Sequence, residues 1–94
     1  MGGRIKMLKI YDLLPQNGQK SFYGKAKVYV TGDNEAEVLF SYNTMIIARD
    51  LRDGKLYPIW NGWSATTGKH IKAFCGLNKK QYIELYNKNH REKI

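Results

Sequence analysis

Apolar and polar positions alternate through the first two thirds of the chain and then change to a spacing of three and four. The first apolar stretch, Ile5 to Leu14, closes at Pro15-Gln16-Asn17-Gly18, where Asn-Gly is a strong turn signal between extended segments. From Phe22 the period is two. Phe22, Gly24, Ala26, Val28 and Val30 fall on one side, and Tyr23, Lys25, Lys27, Tyr29 and Thr31 on the other. This segment predicts a strand with one face in the core and a Tyr-Lys-Lys-Tyr row on the opposite face. Gly32-Asp33-Asn34 turns the chain, and Val38, Phe40 and Tyr42 continue the alternation. Met45, Ile46, Ile47 and Ala48 form a run dense enough for a central strand, before Asp53-Gly54 predicts another hairpin with Leu56 to Trp60 returning.

After Asn61-Gly62 the spacing becomes helical. Ser64 has the chemistry of an N-cap, Thr67, Ile71, Phe74 and Cys75 share a helix side, and Gly76 suits the left-handed position that ends a helix. Asn78 can cap a second helix in which Tyr82, Leu85, Tyr86 and Asn89 line one side and lysines the rest. The elements predict one α+β domain over residues 1–94. It is an antiparallel β-meander of four to five strands, about residues 5–60, followed by two C-terminal helices, about 64–75 and 78–90, in two layers.

Composition supports one folded core. Ninety-four residues are too few for two, and an apolar content of 43% separates the chain from disordered sequences. No apolar run approaches the roughly 18–20 residues that span a bilayer, and Lys6, Lys9 and Asp12 interrupt the early apolar stretch where a signal peptide would need its core. A cytoplasmic protein, in the cytoplasm of a host cell, is the expectation. A lone Cys75 cannot close an internal disulfide and reads as a small core residue. One Cys and two His fall short of a structural zinc set, so no metal or other cofactor is expected.

Charge adds a bias that the pattern does not show. Residues 1–27 carry six basic and one acidic side chain, residues 28–68 three and five, and residues 69–94 seven and two. Both ends are basic and the middle is slightly acidic. If the ends meet, Lys25, Lys27, Lys72, Lys79, Lys80 and Arg91 would help form a positive face for phosphate or for an acidic protein surface; otherwise they only keep a small protein soluble. Tyr23 and Tyr29 interleaved with Lys25 and Lys27 are what single-stranded nucleic acid uses for stacking and phosphate pairing. Helices covering that face would give the same residues a packing role instead.

The densest polar cluster runs from Trp60 to His70. The start of a helix offers unbonded N–H groups, and Ser64, Thr66, Thr67, Lys69 and His70 accompany them, so an anion site is one reading and a capped, packed helix start the other. The glycine and lysine order does not match a phosphate-binding P-loop. His70 with a nearby hydroxyl would be the only general base. However, no acidic residue lies between Asp53 and Glu84 to orient it, and the reading is therefore non-enzymatic, with no catalytic residue assigned.

The stretch Phe40-Ser41-Tyr42-Asn43-Thr44 through Ala48, then Gly54-Lys55-Leu56-Tyr57, then Gly62-Trp63-Ser64-Ala65-Thr66-Thr67 with His70, Ile71 and Phe74, resembles a family of uncharacterised small proteins borne on bacteriophages and prophages. The resemblance covers roughly residues 38–77 and brings no catalytic residues with it. It implies a mobile-element setting, in which such proteins occupy a host factor, a defence complex or a signalling nucleotide. Within the motif, Ser41, Tyr42 and Thr44 should converge with Ser64, Thr66, Thr67 and His70, as a buried hydrogen-bond network or as a pocket. The leading expectation is a non-enzymatic module that engages nucleic acid or a host nucleoprotein complex, as an inhibitor of a host defence such as CRISPR would. One alternative is a nucleotide sponge that uses Tyr42, Thr44 and the Ser64–His70 helix start, with a homo-oligomer interface as one form of it, and a second is a hydrolase that uses His70 and a nearby hydroxyl. No membrane partner is expected.

Overall fold

The structure, a computed structural model, describes residues 7–15, 22, 24–31 and 34–91, with the backbone alone for residues 7, 8 and 91. The predicted turn at Asn17-Gly18 and the side chain of Tyr23 lie outside the described residues. Five strands, β1 (Met7–Asp12), β2 (Ala26–Thr31), β3 (Ala36–Ser41), β4 (Thr44–Asp50) and β5 (Leu56–Pro58), form one antiparallel sheet in chain order. Two helices follow, α1 (Ala65–Cys75) and α2 (Lys79–Arg91). This is the predicted meander and helix pair. No helix among the described residues is long and apolar enough to cross a membrane.

The caps act where the sequence places them. Ser64 accepts from the Thr67 amide at 3.1 Å, and Gly76, at φ +82°, donates back to the Lys72 carbonyl. Asn78 and Gln81 exchange reciprocal side-chain-to-backbone bonds of 2.8 and 2.9 Å, so four otherwise unpaired groups at the start of α2 are reduced by two. The apolar side of α1 then packs on one face of the sheet, while α2 runs along β5, where Asn89 donates to the Leu56 carbonyl at 3.3 Å and His90 Nε2 lies 3.2 Å from the Pro58 carbonyl, and Tyr82 turns into the core. Ala26, Val28, Leu39, Ile46, Ile47, Ile71, Phe74 and Tyr82 pack there into a single buried cluster, with Trp60 and Trp63 against its edge.

Strand β3 inverts the simplest reading of its alternation. Leu39, Ser41 and Glu37 lie under the helices, whereas Phe40 joins Tyr29 on the opposite face. Tyr42 leaves the strand altogether. It and Asn43 form a two-residue turn, both with positive φ (+53° and +73°), between the paired Ser41 and Thr44. The register of β4 then shifts, with Leu39 opposite Ile47 and Phe40 opposite Met45, so Ile46 is an extra residue and both isoleucines reach the core. The Ile46 carbonyl accepts from the Ile59 and Trp60 amides and from the Tyr82 hydroxyl.

Two polar clusters lie beneath the helices. At one end Glu37 pairs with Arg49 and receives the Tyr11 hydroxyl, while Arg49 also donates to the Phe74 carbonyl and stacks 4.4 Å from the Phe74 ring. A guanidinium there sits at the negative end of α1. At the other end Ser41, Thr67 and His70 meet.

Candidate functional site: two concave sites that share Tyr42

The Ser41–Thr67–His70 cluster fixes the start of α1 on the sheet. The Ser41 hydroxyl lies 3.1 Å from Thr67 Oγ1 and 2.8 Å from His70 Nδ1, and all three side chains are buried. Phe22 packs edge-on against the imidazole at 4.5 Å, and Tyr42 lies 6.0 Å away on its outer side. Burial, and then the positive charge of Lys25, hold His70 below its ordinary pKa of 6.5. The ring is 1% exposed and committed to Ser41 through Nδ1.

Just outside this network is a cleft of about 310 Å³ between the β3–β4 turn and α1, which gathers Tyr42, Thr44, Ser64, Thr66 and Thr67 with Ile46 and Trp60. Both alternatives raised by the motif are therefore present, a buried network and a concave site beside it. Lys69 and His70 do not line the cleft: Lys69 points to solvent from α1, and His70 is committed to Ser41. None of the residues lining this cleft carries a charge.

The second site opens on the face of the sheet away from the helices. A row of directly paired residues, Ile10, Tyr29, Val38, Ala48 and Tyr57, crosses all five strands there. Ile10, Met45 and Tyr57 are each more than two-fifths exposed, an unusual amount of apolar surface for one sheet face. At the Tyr42 end of this face a hollow of about 230 Å³ is lined by Lys25, Lys27, Tyr29, Phe40, Tyr42 and Asn43. The Tyr29 and Phe40 rings are 4.6 Å apart, and the Lys25 ammonium lies 5.7 Å from the centre of the Tyr42 ring. Lys27 pairs at 3.1 Å with Asp12, an exposed contact of little strength that a phosphate could displace.

Three of the four residues predicted to form the strand's aromatic and basic row, Lys25, Lys27 and Tyr29, thus share one surface. Phe40 joins them unanticipated, because its face is decided by pairing with Lys27 and not by its own neighbours. Lys72, Lys79 and Lys80 project from the helical layer, and α2 ends at Arg91. Lys27 stands on the sheet face opposite α1, and so apart from Lys72 on that helix. Among the described residues no three His, Cys, Asp or Glu side chains gather as a metal site would require.

No curated protein matches the chain, and no solved structure does. The profile of the family described as "Family of unknown function (DUF8033)" matches residues 11–90, a span that takes in every strand and helix bearing the two sites, and the chain belongs to that family.

Proposed function

We propose that this chain is a non-enzymatic binding module for single-stranded nucleic acid, acting through the sheet face opposite α1 and the hollow at its Tyr42 end. One observation carries the reading: three aromatic rings, Tyr29, Phe40 and Tyr42, and two lysines line the same concave surface. Unpaired bases stack on aromatic faces, and the phosphates between them need cations at the spacing of the strand. A duplex hides its base faces and would gain only the charge term. The net charge of +8 draws any polyanion toward the surface, while the rings select for exposed bases.

Labelled single-stranded and duplex oligonucleotides of equal length, titrated with protein at low salt, test this. Single strands should bind more tightly. Tyr29→Ala and Phe40→Ala should each weaken that binding by about 5- to 140-fold, the range for loss of one stacked base. Equal affinity for duplex, or full affinity in both variants, would remove the proposal. Service to a phage, by occupying the nucleic acid of a host defence complex such as a CRISPR nuclease, is a use for this surface and rests on the motif resemblance alone. The nucleotide-sponge alternative draws support from the hydroxyl-lined cleft, but a free nucleotide would find no cation there for its phosphates.

A further inference from the structure

We infer that the cleft between the β3–β4 turn and α1 receives one unstacked base of the strand that lies on the sheet face, and that Tyr42 is the corner around which the strand turns. The inference rests on the proposed nucleic-acid reading and deepens it. Tyr42 is the only residue common to the two concave sites described above. Its ring is half exposed, with the Lys25 ammonium toward the sheet face and the His70 ring behind it.

Its backbone is the second sign. At φ +53° it occupies the left-handed region, where a two-residue turn of this kind ordinarily takes Asn, Asp or Gly. A bulky aromatic in that position costs stability, and such costs recur where a side chain must be held in place. The cleft itself indicates the ligand's chemistry. Tyr42 and Trp60 offer aromatic surface, Thr44, Ser64 and Thr66 offer hydroxyls, and Ile46 supplies an apolar wall. A neutral, planar group with hydrogen-bonding edges fits such a lining, whereas a phosphate does not. A volume of about 310 Å³ is near the lower end of the roughly 300–1,000 Å³ typical of small-ligand sites, which suits a single base. Splayed bases held between aromatic groups and read along their edges are a general mode of single-strand recognition.

The test uses the full chain and four probes, the eight-nucleotide homopolymers of deoxyadenylate, deoxycytidylate, deoxyguanylate and thymidylate, each with a fluorescent end label. The wild type should distinguish its best from its worst homopolymer by roughly tenfold or more, the worth of one well-made hydrogen bond to the base edge. Thr44→Val with Thr66→Val, two exposed and nearly isosteric changes, should reduce that ratio to about twofold or less while leaving the salt dependence of binding unchanged. Tyr42→Gly should lose affinity at least fivefold without loss of melting temperature, because glycine relieves the positive-φ strain. A homopolymer preference that survives the double variant overturns the inference while the sheet-face reading stands; undiminished affinity in Tyr42→Gly overturns the inference and removes Tyr42 from the sheet-face reading, which then rests on Tyr29 and Phe40. If no homopolymer binds at low salt, the sheet-face reading falls first and this inference with it.

Discussion

Removing one hydroxyl, with Ser41→Ala, tests whether the buried network anchors α1. Ser41 is 2% exposed and serves both Thr67 and His70, so its loss strands two buried groups at once. Leaving a buried polar group unpaired costs about 1–3 kcal/mol. Thr67 borders the cleft, where water can replace its lost partner, whereas His70 does not. The loss should therefore approach the full penalty for His70 and fall well short of it for Thr67, about 2–3 kcal/mol together. For a domain of this length, with a total stability of about 5–14 kcal/mol, that is a large fraction. Each kcal/mol shifts the melting temperature by about 4–8 °C, so a fall of about 10–20 °C is expected. Urea unfolding followed by the fluorescence of Trp60 and Trp63, both packed against the core, reads it as a lower midpoint at unchanged slope. Adding Thr67→Val should cost less than its own single effect, because an apolar group no longer needs the missing partner. A loss below about 0.5 kcal/mol for Ser41→Ala, or strict additivity, would refute the reasoning.

Three further outcomes follow from the same packing. Because burial keeps His70 neutral in the fold, the unfolded chain takes up a proton there first as pH drops below 6.5. Stability present above that pH should therefore decline as pH falls below 6.5, by at most about 1.4 kcal/mol per unit for the one proton, and chemical unfolding on the acid side of 6.5 showing no decline would contradict it. The Tyr82 hydroxyl, whose pKa burial pushes up to about 12, bonds the Ile46 and Trp60 carbonyls. Since Ile46 has two amide donors besides, Tyr82→Phe should cost only about 1 kcal/mol in urea unfolding, and a loss above about 3 would mean the ring's position depends on that bond. Gly68→Ala ought to gain up to about 1 kcal/mol of helix propensity on an open surface. Here its Cβ would stand 2.5 Å from the Trp63 ring, so a net loss of about 1–3 kcal/mol is expected, and a raised melting temperature would show that the ring yields freely.

What the sequence discloses and what it withholds divide along the range of the interactions involved. The strand around Ala26, Val28 and Val30, the caps at Ser64, Gly76 and Asn78, and the inward side of α2 led by buried Tyr82 depend on neighbours within a few residues. All are readable from spacing and side-chain type. The face chosen by Phe40, the burial of Glu37 against Arg49 and the meeting of Ser41 with His70, 29 positions apart, depend on register. A shift of one residue would reverse every one of these, and no local signal sets it. Tyr42 escapes for a different reason. Asn43 favours the turn, but Tyr42 ahead of it lacks turn chemistry and fits the alternation of the strand before it, so the pattern continues past the strand's end. Charge counts along the chain showed that both ends are basic but could not put Lys27 and Lys72 on different sides of the described residues.

On the proposed reading, Lys25 and Lys27 supply the cations for a strand bound to the sheet face opposite α1. Affinity for a labelled single-stranded oligonucleotide, measured across a salt series for the wild type and for Lys25→Ala with Lys27→Ala, tests it most directly. Each phosphate contact contributes about −0.7 to the slope of log affinity against log salt for single strands, so the double variant should bind more weakly with a slope shallower by about 1.4. An unchanged slope and affinity would place the binding surface elsewhere and contradict the account.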